Sequence, residues 1–225
     1  MLICENLQKS FGEKLAVADL SFSVTNGELF ALLGSNGAGK STTIKMILGL
    51  LPKDNGNITL QSSVKIGYSP EIPSFPPIFT AEETLRYYCA LQGMKKTQIP
   101  DEISRVLTHT GLENSKIKVK NYSKGMLQRL AVAQALLGDP DLLILDEPTA
   151  GLDALGRVEM IHLLQELKVA GKTILLNSHI LNDVERVCDR ALIMQAGQVL
   201  LEWKKEESNT ISLEEIFLQT IGGIA

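Results

Sequence analysis

The sequence predicts an α/β fold with a mostly parallel core sheet, an antiparallel β-lobe and an inserted helical lobe. Short apolar runs of strand length at residues 29–33, 142–145, 173–177 and 191–194 are interleaved with helix-period segments. A β-like, largely period-two stretch occupies residues 2–33, and between residues 71 and 138 helical patterns follow one another with no strand between them.

In chain order, residues 2–7, 18–24 and 29–33 read as strands, with an Asn26-Gly27 turn before the third, and suggest a small antiparallel start. A glycine-rich stretch then leads into a helix over 41–50, where Ile44, Ile47 and Leu48 recur at helical spacing. Residues 54–68 read as short strands around turn residues, and Pro70, Pro73, Pro76 and Pro77 forbid regular structure in the loop that follows. Thr80 with Glu83 makes a capping box for a helix running towards Gly93. A second helix after Pro100 carries Ile103, Val106 and Leu107 on one face and stops near Gly111. Ser123 is the N-cap candidate of the lobe's last helix, which is expected to end before Asp139-Pro140. The order then returns to strand 142–145, helix 154–169 closed by Gly171, strand 173–177, helix 181–188 and strand 191–194. A turn at Ala196-Gly197, a strand to Leu201 and a helix capped by Ser212 and Glu215 close the pattern.

With 225 residues, 44% of them hydrophobic, there is enough apolar material for a sizeable core. One domain is expected, with residues 1–70 and 139–225 as α/β core and β-lobe and 71–138 as helical lobe. No apolar run approaches the roughly 20 residues that span a bilayer. Met1 leads at once into strand-like sequence with no basic segment or cleavage site, so the chain is expected to stay in the cytoplasm. Cys4, Cys89 and Cys188 are isolated and odd in number, which suits buried reduced thiols rather than disulfides or zinc. A net charge of −4 gives no overall reason to bind nucleic acid.

The glycine-rich stretch Gly34-Ser35-Asn36-Gly37-Ala38-Gly39-Lys40-Ser41 fits G-x-x-x-x-G-K-[ST], after an apolar strand and opening a helix. Glycines let the backbone N–H groups turn inward towards phosphates, and the positive end of the helix adds to the attraction. Lys40 is the residue expected to reach the β- and γ-phosphates of ATP, Ser41 to ligate Mg²⁺, and Thr42 to stand next on the phosphate side. The strand at 142–145 delivers Asp146 and Glu147 at its carboxyl end, where an open α/β sheet binds ligands. Asp146 is expected to hold Mg²⁺ through water, and Glu147 to polarise the attacking water as general base.

Tyr122-Ser123-Lys124-Gly125-Met126 resembles the LSGGQ signature of ABC ATPases, in a form often seen in exporter-type members. Ser123 and Gly125 match it; Tyr122, Lys124 and Met126 replace the usual Leu, Gly and Gln. On its own Ser123 reads as a plain helix cap rather than a phosphate contact; its place shortly before Asp146-Glu147 reverses that in favour of the signature. The resemblance extends over essentially the whole chain. Gly151-Leu152-Asp153 looks like the family's D-loop, and His179 like its switch histidine, whereas a lone histidine after a strand is otherwise structural. Phe11 stands where the family stacks an aromatic residue on adenine, with an ordinary core aromatic as the alternative. Glu71 stands where the Q-loop has Gln and would approach Mg²⁺ or a water, with a plain surface glutamate as the alternative. The segment between Gly56 and Tyr68 is shorter than usual, which implies a trimmed β-lobe.

The resemblance implies an ATPase in which Ser123 and Gly125 serve the γ-phosphate held by a second subunit, a homodimer being expected. It also implies separate transmembrane permease subunits, docked on the helical lobe and the loop after Glu71 at the cytoplasmic face of the membrane. The ABC-2 group of exporters is the most similar. Soluble ABC ATPases normally carry duplicated cassettes or a coiled-coil insertion that this sequence lacks, and a non-hydrolysing binder would not keep Lys40, Ser41, Asp146, Glu147 and His179.

Overall fold

The computed structural model describes residues 1–113, 116–207 and 211–222. Two compact units emerge, residues 1–64 with 168–225, and residues 65–167.

The first unit opens with β1 (Leu2–Phe11), β2 (Lys14–Val24), β3 (Leu29–Leu33), α1 (Lys40–Ile47) and β4 (Asn55–Leu60). β1 and β2 form an antiparallel hairpin, and β4 joins β1 on its other edge. Both hairpin strands run further than residues 2–7 and 18–24. Register shifts follow Cys4 and Leu7, and Asn6 and Asp19 sit at φ 49° and 53°, joined by an Asn6 Nδ2 to Asp19 Oδ1 bond of 2.7 Å. Bulges of this kind break the period-two pattern without ending the strand.

β3 does not stay in the antiparallel sheet. All five of its residues are buried, and it lies between β7 (Thr173–Ser178) and β8 (Arg190–Gln195), parallel to both. A continuous apolar run needs both faces covered, which a parallel core strand provides. β9 (Gln198–Lys204) pairs antiparallel with β8 and extends past Leu201 because Trp203 is buried against it. Arg190, at the start of β8, ties Glu28 just before β3 to Glu202 near the end of β9, donating at 2.5 Å and 2.6 Å, and lies over the Phe30 ring. α6 (Leu181–Val187) and α7 (Leu213–Gly222) complete the unit. The Ser212 hydroxyl accepts from Glu215 N, and Ser212 N donates back to the Glu215 carboxylate, so the expected box forms.

In the second unit β5 (Ile66–Ser69) pairs in parallel with β6 (Leu142–Asp146). Between them come α2 (Ala81–Leu91), α3 (Ile99–Thr110), a short 3-10 turn (Val119–Asn121) and α4 (Lys124–Ala135); α5 (Ala154–Val169) follows β6. The Thr80–Glu83 capping box is made in both directions. α4 packs directly on β5: a Cβ on Gly67 would stand 2.0 Å from Ala135 O. The helix stops at Ala135, earlier than the sequence suggests. Arg105 donates to Leu136 O, Glu102 accepts from Gly138 N, and Gly138 turns at φ 74°, so α3 supplies the stop.

Among the described residues no helix is long and apolar enough to cross a membrane. All three cysteines are free and buried, and burial pushes the Cys4 thiol up to about 12, which keeps it protonated. The architecture is the α/β arrangement expected: a mostly parallel sheet, an antiparallel sheet and helices.

Candidate functional site

In the first unit β3 runs into a loop that closes on the first turn of α1. Register pairs Leu32 with Asn177 and Leu33 with Ser178, so the ends of β3 and β7 lie side by side, and His179 follows directly as an exposed residue. Gly34 and Gly39 fix how closely the loop is wrapped. A Cβ on Gly34 would stand 2.3 Å from Met194 O, and one on Gly39 would stand 2.5 Å from Ala16 O, with Gly39 also at φ 102°. Ser35, Asn36 and Gly37 face solvent, while Ala38 and Gly39 are buried. Gly37 turns at φ 85°.

Lys40 is 5% exposed, and its Nζ donates to Gly34 O at 2.7 Å and Ser35 O at 3.2 Å. The ammonium is therefore folded into the concave side of its own loop. Ser41 and Thr42 are half-buried on the first turn of α1, and Thr43 Oγ1 donates to Gly39 O. Asn177 Nδ2 donates to the Ser41 hydroxyl at 3.3 Å. That contact was missed in the sequence, although the signal existed: Asn177 is a polar residue at the carboxyl end of an apolar strand. Phe11 ends β1 with half its surface exposed, and Lys9 Nζ is 5.8 Å from its ring centroid. It is not a core aromatic.

In the second unit β6 delivers Asp146 and Glu147, each 5% exposed. Glu147 sits at φ 52°, a left-handed conformation that costs a non-glycine residue about 1–3 kcal/mol and concentrates at functional positions. Ser69 pairs with Leu145, so the chain leaves β5 towards Glu71 beside the strand that carries the acids. The Tyr68 phenol registers both: burial, then the charges of Asp146 and Glu71, push its pKa up to about 12. Glu71 itself is exposed.

Ser123 caps α4, its Oγ accepting from Met126 N at 3.2 Å. It lines an open cavity of about 420 Å³ together with Gly125, Gly151, Leu152 and Asp153. The Asp153 carboxylate accepts from Gly156 N at 2.8 Å and so begins α5. Lys124 reaches across to Gly151, where an added Cβ would stand 2.0 Å from its Nζ. Arg129 anchors the base of the cavity, donating to Thr110 O and Glu159. The contacts of Lys124, Arg129 and Tyr68 were not foreseen from the motif stretches in which they stand.

The donor chemistry suits a hard divalent cation. Ser41 and Asp146 offer oxygen, and Mg²⁺ characteristically takes one or two protein oxygens together with phosphates and water. Among the described residues no group of three or more His, Cys, Asp or Glu could hold a metal by itself.

The family model described as ABC transporter matches residues 17–150. The linearmycin resistance ATP-binding protein of Bacillus subtilis (strain 168) is 37% identical over 236 residues, covering all of this chain and 76% of the relative. A Nod factor export ATP-binding protein of Bradyrhizobium diazoefficiens is 40% identical over 211 residues, covering 89% of this chain and 69% of the relative. Among solved structures, an ATP-binding subunit of an ABC transporter superposes with a TM-score of 0.86 at 31% identity, covering 98% of this chain and 99% of that one. A bacterial ABC transporter cassette solved as a dimer gives a TM-score of 0.81 at 25% identity over 91% and 99%. With that loop, those acids and that fold in place, the chain belongs to the ABC transporter family, as one of its ATP-binding proteins.

Proposed function

We propose that the chain is the ATP-hydrolysing subunit of an ABC-2-type exporter, working as a pair of identical copies. The carrying observation is the phosphate loop: a wrapped backbone with no room for a side chain at Gly34 or Gly39 and a buried Lys40 ammonium on its inner carbonyls. A wrapped loop of this kind at a helix N-terminus supports the reading as an anion cradle. Lys40 exchanges the carbonyls of Gly34 and Ser35 for the β- and γ-phosphate oxygens of ATP. The Ser41 hydroxyl, held by Asn177, and Asp146 would hold Mg²⁺, Asp146 through water. Bound Mg²⁺ supplies charge neutralisation between the phosphates. Glu71 stands at the approach to the ion as an oxygen donor. Glu147 takes the proton of the attacking water, His179 orients that water against the γ-phosphate, and Phe11 stacks on adenine.

Ser123, Gly125 and Asp153 serve the nucleotide of the second copy. ATP then favours the closed pair because it binds that state better, and hydrolysis removes the preference. The helical segment 71–138 and the proline-rich loop within it form the dock for separate membrane-spanning permease subunits, at the cytoplasmic face of the membrane. Relatives named for Nod factor export and linearmycin resistance support the outward direction.

Two measurements test this. Purified chain with Mg²⁺ and ATP releases phosphate, and Lys40→Ala lowers the rate at least 100-fold; equal rates contradict the assignment. Purification from detergent-solubilised membranes brings down a separate polypeptide with membrane-spanning helices, and recovery without one contradicts the transport role.

A further inference from the structure

We propose that Lys124 is a positioning residue linking the two nucleotide sites of the pair, by fastening the signature turn to the loop that carries Glu147. The proposal rests on the paired-site reading above.

Lys124 occupies the first helical position of α4, directly after Ser123. A cation there gains nothing from the helix, whose amino end is already positive. Among the described residues its side chain makes no hydrogen bond and no ion pair, unlike that of Arg129 further along the helix, which is tied to Thr110 and Glu159. Its side chain is nevertheless laid against one partner. A Cβ built on Gly151 would stand 2.0 Å from Nζ, 2.9 Å from Cε and 3.3 Å from Cδ, so the end of the lysine fills the space a Gly151 side chain would take. Gly151 turns at φ 67°, and the missing side chain leaves the seat that the ammonium takes.

Gly151 belongs to a chain of tight turns. Ala150 N donates to Glu147 O at 3.0 Å, Leu152 N donates to Thr149 O at 3.3 Å, and the Asp153 carboxylate closes the series on Gly156 N. Movement of Gly151 is therefore passed to Glu147 within four residues. On the other side Lys124 is bonded to Ser123, which in the pair faces the γ-phosphate of the second copy. One chain thus holds, through a single contact, the signature serving its partner's nucleotide and the base serving its own. Occupation of one site draws on Ser123, shifts Lys124 on Gly151, and sets Glu147 at the other. Lys124 touches neither the nucleotide nor the water in this scheme and acts through Gly151.

The test is ATP hydrolysis by the purified full chain across a range of ATP concentrations, with nucleotide affinity measured separately on the unpaired protein. Wild type gives a Hill coefficient between 1 and 2, as two linked sites require. Lys124→Ala brings it to 1 and lowers kcat several-fold, while the affinity of the unpaired protein for ATP is unchanged. Lys124→Arg, whose longer head still reaches Gly151, restores the cooperativity, which a residue needed only for folding does not explain. Gly151→Ala has the same effect as Lys124→Ala, and the double variant is no worse than either. A Lys124→Ala protein as cooperative as wild type overturns the proposal alone. A wild type with a Hill coefficient of 1 overturns the paired-site reading, and this inference with it.

Discussion

At the residue scale the site is governed by what glycine omits and by where Lys40 and Glu147 are held. Gly39 meets two constraints at once, a φ of 102° and the Ala16 carbonyl 2.5 Å from any Cβ. Gly39→Ala is therefore expected to strain the loop by about 1–3 kcal/mol and to weaken ATP binding at least tenfold. Fluorescent-nucleotide titration checks this, and unchanged affinity contradicts it. The phosphate loop was fully legible because the mechanism demands glycines and a lysine at fixed spacing. The contacts of Asn177, Tyr68 and Lys124 were not, since each is made with a neighbour far away in sequence: Ser41 lies 136 residues from Asn177.

At the element scale, most strands and helices could be read because burial and period agree. The misses have physical causes. Bulges at Asn6 and Asp19 hid the length of β1 and β2, and contacts from α3 rather than local sequence end α4. β3 read as a continuation of the antiparallel start because the Asn26-Gly27 turn suggested a hairpin, whereas its all-apolar face pattern required a parallel seat.

The junction of β3, β8 and β9 makes a pH prediction. Burial tends to raise the pKa of the Glu28 carboxyl, but hydrogen bonds from Arg190 and from the Thr25 backbone and hydroxyl, with the Arg190 charge, outweigh it and hold the pKa below 4.5. A lowered folded-state pKa gives a contribution that is complete above the unfolded value and lost as pH falls through the folded one. Glu28→Gln should accordingly destabilise the protein by about 1–3 kcal/mol near neutrality. The gap in melting temperature between the two proteins should narrow as pH drops below 4.5. A gap that is constant with pH, or that widens in acid, contradicts the assignment.

At the scale of the whole molecule, the family and the fold class were legible because six short motifs stand in a fixed order and each has a chemical reason. The cargo and the identity of the permease were not, since neither leaves a trace in Lys40, Asp146 or Ser123. The division at residues 65 and 167 follows contacts rather than composition, which is why no linker announces it.

The central claim is that each nucleotide belongs to two chains, and Glu147→Gln tests it most directly by holding ATP uncleaved. Light scattering of that variant with Mg²⁺ and ATP should give twice the 24.6 kDa of a single chain, falling back to 24.6 kDa without nucleotide or when Ser123→Arg is added. A mass that stays at 24.6 kDa under saturating ATP, or a doubled mass indifferent to Ser123→Arg, contradicts the account.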